Sequence, residues 1–382
     1  TISSNNCFAQ GDSNTVGSNT QSDATSFAQG DSNSANTAGG SNAFAQGSSC
    51  TVKAEASFAQ GSFVVVNGGE GIFAQGASIY VYTYDSGASP YTGMRGMFAQ
   101  GYNNFIQAFN ADEIRGAFVQ GANCTIYSYQ YQADGSGGLG TFVQGYACYS
   151  WGAGDFVQGT GCHAGGYSYN TEASFAQGVD TIVYGGIGNF AQGSGAQAGT
   201  SGPRNNSFAQ GLNTTTDGDT TFAQGNGVRA HGARSFARGL NATSYRDDQT
   251  SWGSNRVGQP NRAQSAWINK HTQTVNATPV NILTLDLIQD YAYKLEVHII
   301  ARNTTTAGEN SNFVVRDALA YRDTAGAAIL VGSPVALTEV QTGTDVISAR
   351  ILSSGNNILV EVTGNTDTYE WLVHCKWIEV RG

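Results

Sequence analysis

The side chains able to do chemistry in this 382-residue chain are few and scattered. His163, His231, His271, His298 and His374 stand far apart, with no pair at metal-ligand spacing. There is no Gly-x-Ser-x-Gly nucleophile turn and no phosphate-binding loop. Asp217 and Asp219, in Thr-Asp-Gly-Asp-Thr, could lend oxygens to a calcium ion, but the segment is fully accounted for as a turn. Glycoside hydrolysis needs two carboxyl groups about 5–10 Å apart, and residues 1–225 carry only fourteen Asp or Glu. No catalytic residue, metal or cofactor is expected. What remains is a concentration of aromatics between Gly76 and Tyr184: Tyr80, Tyr82, Tyr84, Phe105, Tyr127, Tyr129, Tyr131, Tyr149, Trp151 and Tyr184. Such side chains bind by stacking an apolar face and offering a polar edge, which suits sugar rings and protein surfaces alike.

What positions them is a repeat. Phe-Ala-Gln-Gly begins at Phe8, Phe27, Phe44, Phe58, Phe73, Phe98, Phe175, Phe190, Phe208 and Phe222. Phe118, Phe142 and Phe156 open Phe-Val-Gln-Gly, and Phe236 opens Phe-Ala-Arg-Gly. Successive Phe residues are never closer than 14 positions, so the unit is a 14-residue coil and longer spacings are insertions. Alternation puts Phe and Gln on one face of a short strand and Ala on the other, and the Gly permits a turn. Three and five residues after that Gly stand small or aliphatic side chains, as in Val64 and Val66 or Cys124 and Ile126, which makes a second strand with one buried face. Each coil therefore reads strand, turn, strand, turn. Inward Ile79 and Val81 place Tyr80, Tyr82 and Tyr84 outward, and the same count turns the other aromatics and His163 away from the coil. Cys50, Cys124, Cys148 and Cys162 fall in the inward column, where they read as small buried hydrophobes rather than disulfides or metal ligands.

Ser-Phe-Ala-Gln-Gly on this period resembles the Ser-Val-Ala-Ile-Gly repeat of trimeric autotransporter adhesin heads. It is more similar still to the Ser-His-Ala-Glu-Gly repeats of phage tail-fibre proteins. The resemblance covers roughly residues 5–250 and implies a left-handed β-roll assembled as a parallel homotrimer. The departure is Gln where the adhesins carry an apolar residue, and stacked coils would turn it into a Gln ladder beside a Phe ladder. The resemblance further implies a virion fibre whose partners are a host-surface glycan or protein and other virion proteins at the N-terminal end. The alternatives are a structural or decorative appendage without a receptor, a bacterial surface adhesin, and a tailspike polysaccharide depolymerase. The aromatic stripe would be either a receptor site or a face covered by other subunits.

Composition divides the chain. Residues 1–225 hold four Lys or Arg, and the net charge of −10 disfavours a nucleic-acid partner. No apolar run approaches the roughly 20 residues of a membrane helix, so membrane insertion is not expected. Thr1 implies a start that is processed or missing, and the β-rich C-terminal end differs from the membrane anchor of an autotransporter. The expected organisation is a solenoid over 1–244, a neck over 245–268 and an antiparallel β-sandwich of jelly-roll type over 269–382, expected to serve as the trimerisation or tip domain. Eight strands are expected there, beginning at Val280, Tyr291, Phe313, Ala327, Val335, Asp345, Asn357 and Tyr369. The basic run Arg229, Arg234, Arg238, Arg246, Arg256, Arg262 and Lys270 is expected to pair with Asp247, Asp248 or other subunits.

Overall fold

A computed structural model of the chain describes residues 7–16, 25–35, 43–52, 58–62, 65–66, 71, 73–83, 96, 98–102, 105–109, 117–129, 141–150, 154–165, 171–200, 204–254, 263–306, 310–323, 326–332, 338–342 and 347–381. The described residues form an all-β protein of parallel coils followed by antiparallel sheets. They divide into two compact units, Thr1–Thr220 and Thr221–Gly382.

In the first unit twelve motif strands, from Phe8–Asp12 to Phe208–Leu212, pair in parallel with Phe on Phe and Gln on Gln throughout. Insertions between motifs leave this register intact, because each rung is defined by its own Phe-x-Gln. A second parallel ladder runs from Thr15–Val16 to Thr215–Thr216. Between the ladders lies a narrow interior of fully buried Ala28, Ala45, Ala176, Ala191 and Ala209 facing Val16, Val52, Val183 and Ala198. Among the described residues, the one before a motif Phe is buried in most coils and is usually small, as in Ser26, Ala43, Ser174 and Ser207. Where it is larger it satisfies nearby polar groups: Asp155 accepts from Ser150 Oγ at 2.9 Å and from the Ser174 N–H at 3.1 Å. Asn189 likewise accepts from the Ser207 N–H at 2.8 Å. A buried polar group in so thin a core is tolerated because it is bonded.

Two backbone features close each coil. The motif Gly adopts positive φ, +133° at Gly193, while its carbonyl-bearing neighbour Gly211 sits in the rung above. Two residues later the chain is left-handed again, at Ser13, Ser32, Ser49, Asn123, Asp180 and Asn213. Short polar side chains tolerate that conformation better than branched ones.

In the second unit, Phe222–Asn226, Phe236–Leu240 and Thr250–Ser254 are successive parallel rungs. The segment 245–268, expected as a neck, therefore contributes a further coil, although it lacks the Phe-Ala-Gln-Gly motif. Its Trp252 takes the position of the motif Gln beside Arg238, whose guanidinium lies 5.6 Å from the indole centroid. Ala263–Thr274 then pairs antiparallel with Thr250–Ser254. This strand begins in the expected neck and continues into the expected sandwich, and it covers the edge that the last parallel rung would otherwise present. Its inward Gln264 substitutes for a strand, accepting from the Thr243 N–H at 2.8 Å and donating to the Thr243 carbonyl at 3.0 Å.

The larger antiparallel sheet runs Ala263–Thr274, Tyr369–Arg381, Tyr291–Asn303, Asn310–Arg322, with Ile329–Val331 and Thr338–Thr342 on the last of these. The smaller sheet is Val280–Asp286, Asn357–Thr363, Ser348–Ser354. Their facing sides share one core containing Leu283, Leu285, Ile351 and Val360 from one sheet and Tyr293, Val297, Trp371 and Trp377 from the other. The final strand inserts between the first and third strands, so the chain interleaves its sheets as a sandwich. All eight expected strands are present, Asn357–Thr363 with the expected bounds and the others with one or both ends shifted, the shortest being Ile329–Val331.

Candidate functional site

Burial of the Ala column turns Phe and Gln to the outside of the coils. Twelve Phe rings, from Phe8 to Phe208, stack with centroids 4.6–5.3 Å apart and planes within 14°. Each such contact is worth about 0.5–1.5 kcal/mol beyond area burial, so the ladder stiffens the coils while leaving ring edges half-exposed. Phe222 and Phe236 repeat the contact at 4.7 Å in the second unit. Beside the rings runs a ladder of amides. Gln29 donates to Gln10, Gln46 to Gln29, Gln158 to Gln144, Gln177 to Gln158, and Gln192 to Gln177, at 2.6–3.1 Å. All these bonds point the same way, so they polarise one another. Each interior amide spends one hydrogen and one lone pair on its neighbours, and by valence it has a second of each to offer a partner.

The other outward column lies on the second ladder. Register places Tyr80, Phe105, Thr125, Tyr149, His163 and Ile182 on successive rungs. Tyr80 is 38% exposed and Tyr149 40% exposed, and Tyr149 meets His163 edge-on at 5.9 Å. Burial holds the His163 imidazole below its ordinary pKa, so this column is uncharged at neutral pH. Tyr184 is half-buried. Tyr82, Gln107 and Tyr127 share the next column of backbone positions, and Phe109 and Tyr129 the one after. For Tyr82, Phe105, Tyr127 and Tyr129 the description is confined to the strand backbone, and Tyr84, Tyr131 and Trp151 lie outside the described residues.

Two exposed aromatics escaped the alternation argument. Tyr102 is 57% and Tyr146 59% exposed, each directly after a motif Gly at the first turn. Asp12, Asp31, Ser48 and Ser194 occupy that place in other coils. Val179 and Leu212 stand at the same corner, 47% and 44% exposed, so the available signal was the position itself rather than the residue type.

The remaining candidates for chemistry have structural roles. Cys124, Cys148 and Cys162 are fully buried and their thiols point at backbone carbonyls, Cys148 reaching the Gly159 oxygen at 2.8 Å. Burial raises Cys124 to about 12 and Cys148 to about 11, so both remain thiols. Asp219 accepts from the Asn205 N–H of the neighbouring coil at 3.0 Å and lies 3.7 Å from the Arg204 guanidinium. No cluster of three or more potential metal ligands occurs among the described residues. Part of the basic run pairs as expected: Asp248 accepts from Arg234 Nε at 2.7 Å and Lys270 Nζ at 2.8 Å.

Those two bonds, Arg234 first, hold the Asp248 carboxyl down at about 2, against an ordinary 3.8. A depressed carboxyl contributes stability that is present above the ordinary value and lost as pH falls through the folded one. The second unit should therefore lose thermal stability between pH 3.8 and about 2 more steeply than its Asp248→Asn variant, read by circular dichroism. The pair is partly exposed, so the difference should be small and should shrink with added salt.

No family model matches the chain, and no curated protein matches it. Among solved structures it is similar to the tailspike protein gp49 of Acinetobacter baumannii bacteriophage Fri1, a capsular polysaccharide depolymerase, at 12% identity and TM-score 0.22. It is also similar to the tailspike protein of Acinetobacter baumannii phage AM24, at 9% identity and TM-score 0.22. These alignments span 94% and 97% of this chain but only 66% and 68% of the tailspikes, about two thirds of their length. Scores of this size carry no argument about function, which rests on the outward faces themselves.

Proposed function

We propose that this chain is a structural and adhesive fibre protein that works as a homotrimer, of the kind a phage uses to attach its virion to a host-surface glycan or protein. The observation that carries the proposal is the Phe/Gln face. A single chain spends its most regular side chains on an outward, uncharged, half-exposed stripe rather than on its core. A soluble surface of that kind is covered in use, and a second and third copy carrying the same period meet it rung for rung. The motif resemblance to phage fibres supports the virion setting. On this reading the coils are the shaft, and the exposed tyrosines Tyr80, Tyr102, Tyr146 and Tyr149 are the surface offered to the receptor.

Two variants test the parts separately. Phe175→Ser with Phe190→Ser removes outward rings and leaves the Ala interior untouched, so coils should form while self-association weakens at least tenfold. An unchanged native mass across dilution would contradict this role for the face. Tyr80→Ser with Tyr149→Ser should leave the mass unchanged and reduce binding to host cells or a glycan array at least tenfold, since even one aromatic anchor buried on binding carries about 2 kcal/mol and about 1.4 kcal/mol is a factor of ten. Release of reducing ends from host polysaccharide by the purified chain would replace this reading with a depolymerase.

A further inference from the structure

The larger sheet of the sandwich has a second apolar side, facing away from the core. Ile300, Leu319, Tyr321, Ile329, Val331, Leu372, Ile378 and Val380 are each 38–52% exposed. They alternate along their strands with the buried core residues, so all eight belong to the outer face. Register joins them across neighbouring strands: Ile300 opposes Leu372, Tyr321 opposes Ile329, and Leu319 opposes Val331. A polar outer face is the usual complement of a buried inner one in an antiparallel sheet, and this sheet departs from it.

Charges on the same face decide what could cover it. Lys376 opposes Glu296, and Glu370 opposes Arg302, on neighbouring strands between the apolar rows. Lys294 lies opposite Ile378. Both signs are thus interleaved in a chain whose net charge is −10. An acidic or basic macromolecule would require one sign to dominate, and most of this acidic chain would repel another copy. A face of interleaved signs with exposed Ile and Leu is complementary to itself. A shallow hollow lined by Lys294, Glu296, Lys376 and Ile378 provides relief for side chains of an opposing copy.

We infer that the outer face of the Ala263–Thr274, Tyr369–Arg381, Tyr291–Asn303, Asn310–Arg322 sheet is a self-association surface, covered by another copy of the same chain. The inference deepens the fibre proposal and rests on its homo-oligomer. It adds a contact in the second unit that is chemically distinct from the Phe/Gln face: branched aliphatics and paired charges in place of stacked rings and amides.

Histidines report on this face directly. His298 and His374 stand on it with ring centroids 6.4 Å apart, bonded to Glu296 and Asn269 respectively, and His271 opposes Leu372. Their reaction with diethylpyrocarbonate, resolved by peptide mass spectrometry, is compared between the full chain and its Ile300→Glu, Leu372→Glu variant. Both substituted side chains are outward, so the sandwich core is unaltered; retained near-ultraviolet circular dichroism verifies that. The native mass of each sample is measured in parallel. In an oligomeric wild type, His298 and His374 should react at least tenfold more slowly than in the variant. An oligomeric wild type whose His298 and His374 react as fast as the variant's would overturn the inference and leave the fibre proposal standing. A monomeric wild type would overturn both.

Discussion

Gly193→Ala should disrupt the coils around it, costing about 3 kcal/mol or more. Gly193 has φ +133°, a region L-residues rarely occupy, and an added Cβ would lie 2.0 Å from the Gly211 carbonyl oxygen of the next rung. That oxygen is backbone, held by the ladder on both sides, so it cannot move aside without breaking register. Gly355→Ala is the control: its φ is +57° and nothing stands within 4 Å of the added carbon. The control should cost about 1 kcal/mol, the expense of a left-handed residue alone. Because coils contact only their neighbours, the damage should be local. Hydrogen exchange should accelerate in Phe175–Val179, Phe190–Ser194 and Phe208–Leu212 and remain slow in the antiparallel sheets. Equal effects of the two substitutions would mean that the close stacking of motif glycines is not what the turn requires.

Trp371→Ala should destabilise the sandwich by about 3–5 kcal/mol. The indole is fully buried, lies 6.1 Å from the Phe313 ring and 6.0 Å from Tyr369, and donates from Nε1 to Thr274 Oγ1 at 2.8 Å. Truncation leaves a cavity between the sheets and strips a buried hydroxyl of its donor. Trp371→Phe separates the two terms: most of the volume is retained and the hydrogen bond is lost, for an expected cost of about 1–3 kcal/mol. Denaturant midpoints at fixed chain concentration give the comparison, since self-association makes apparent stability depend on concentration. If Trp371→Phe were as damaging as Trp371→Ala, the bond to Thr274 rather than packing would dominate the site.

How much of this was legible follows from how each element is encoded. The coils were readable because Phe, Gln and Gly recur as a unit, and such a unit tolerates insertions without losing register. That Ala rather than Phe faces inward was not readable, since period two names two faces without saying which is buried. Ser174 and Ser207 are fully inward, yet a serine before a phenylalanine carries no hydrophobic signal. The Ala263–Thr274 strand escaped for a related reason. Its inward Gln264 and Thr274 look polar in sequence and are acceptable only because Thr243 and Trp371 lie opposite them. Thr250–Ser254 joins the ladder with Trp252 in place of Gln, so motif matching ended one coil early. Tyr80 and Tyr149 were found by alternation from inward Ile79 and Cys148, whereas Tyr102 and Tyr146 sit on a turn where alternation does not apply. The outer face of the sandwich was missed because Tyr291–Asn303 and Tyr369–Arg381 are apolar at many positions on both sides, and the count of strands did not distinguish them.

The central claim is that one chain's outward Phe/Gln face is covered by further copies of the same chain. Native mass in solution tests it most directly, by sedimentation equilibrium or light scattering of the purified chain over a range of concentrations. The account predicts a mass near three times 39.9 kDa that persists on dilution and falls in the Phe175→Ser, Phe190→Ser variant. A stable mass of 39.9 kDa at every concentration would contradict it, and would leave the Phe/Gln stripe and the exposed tyrosines as surfaces of a monomer.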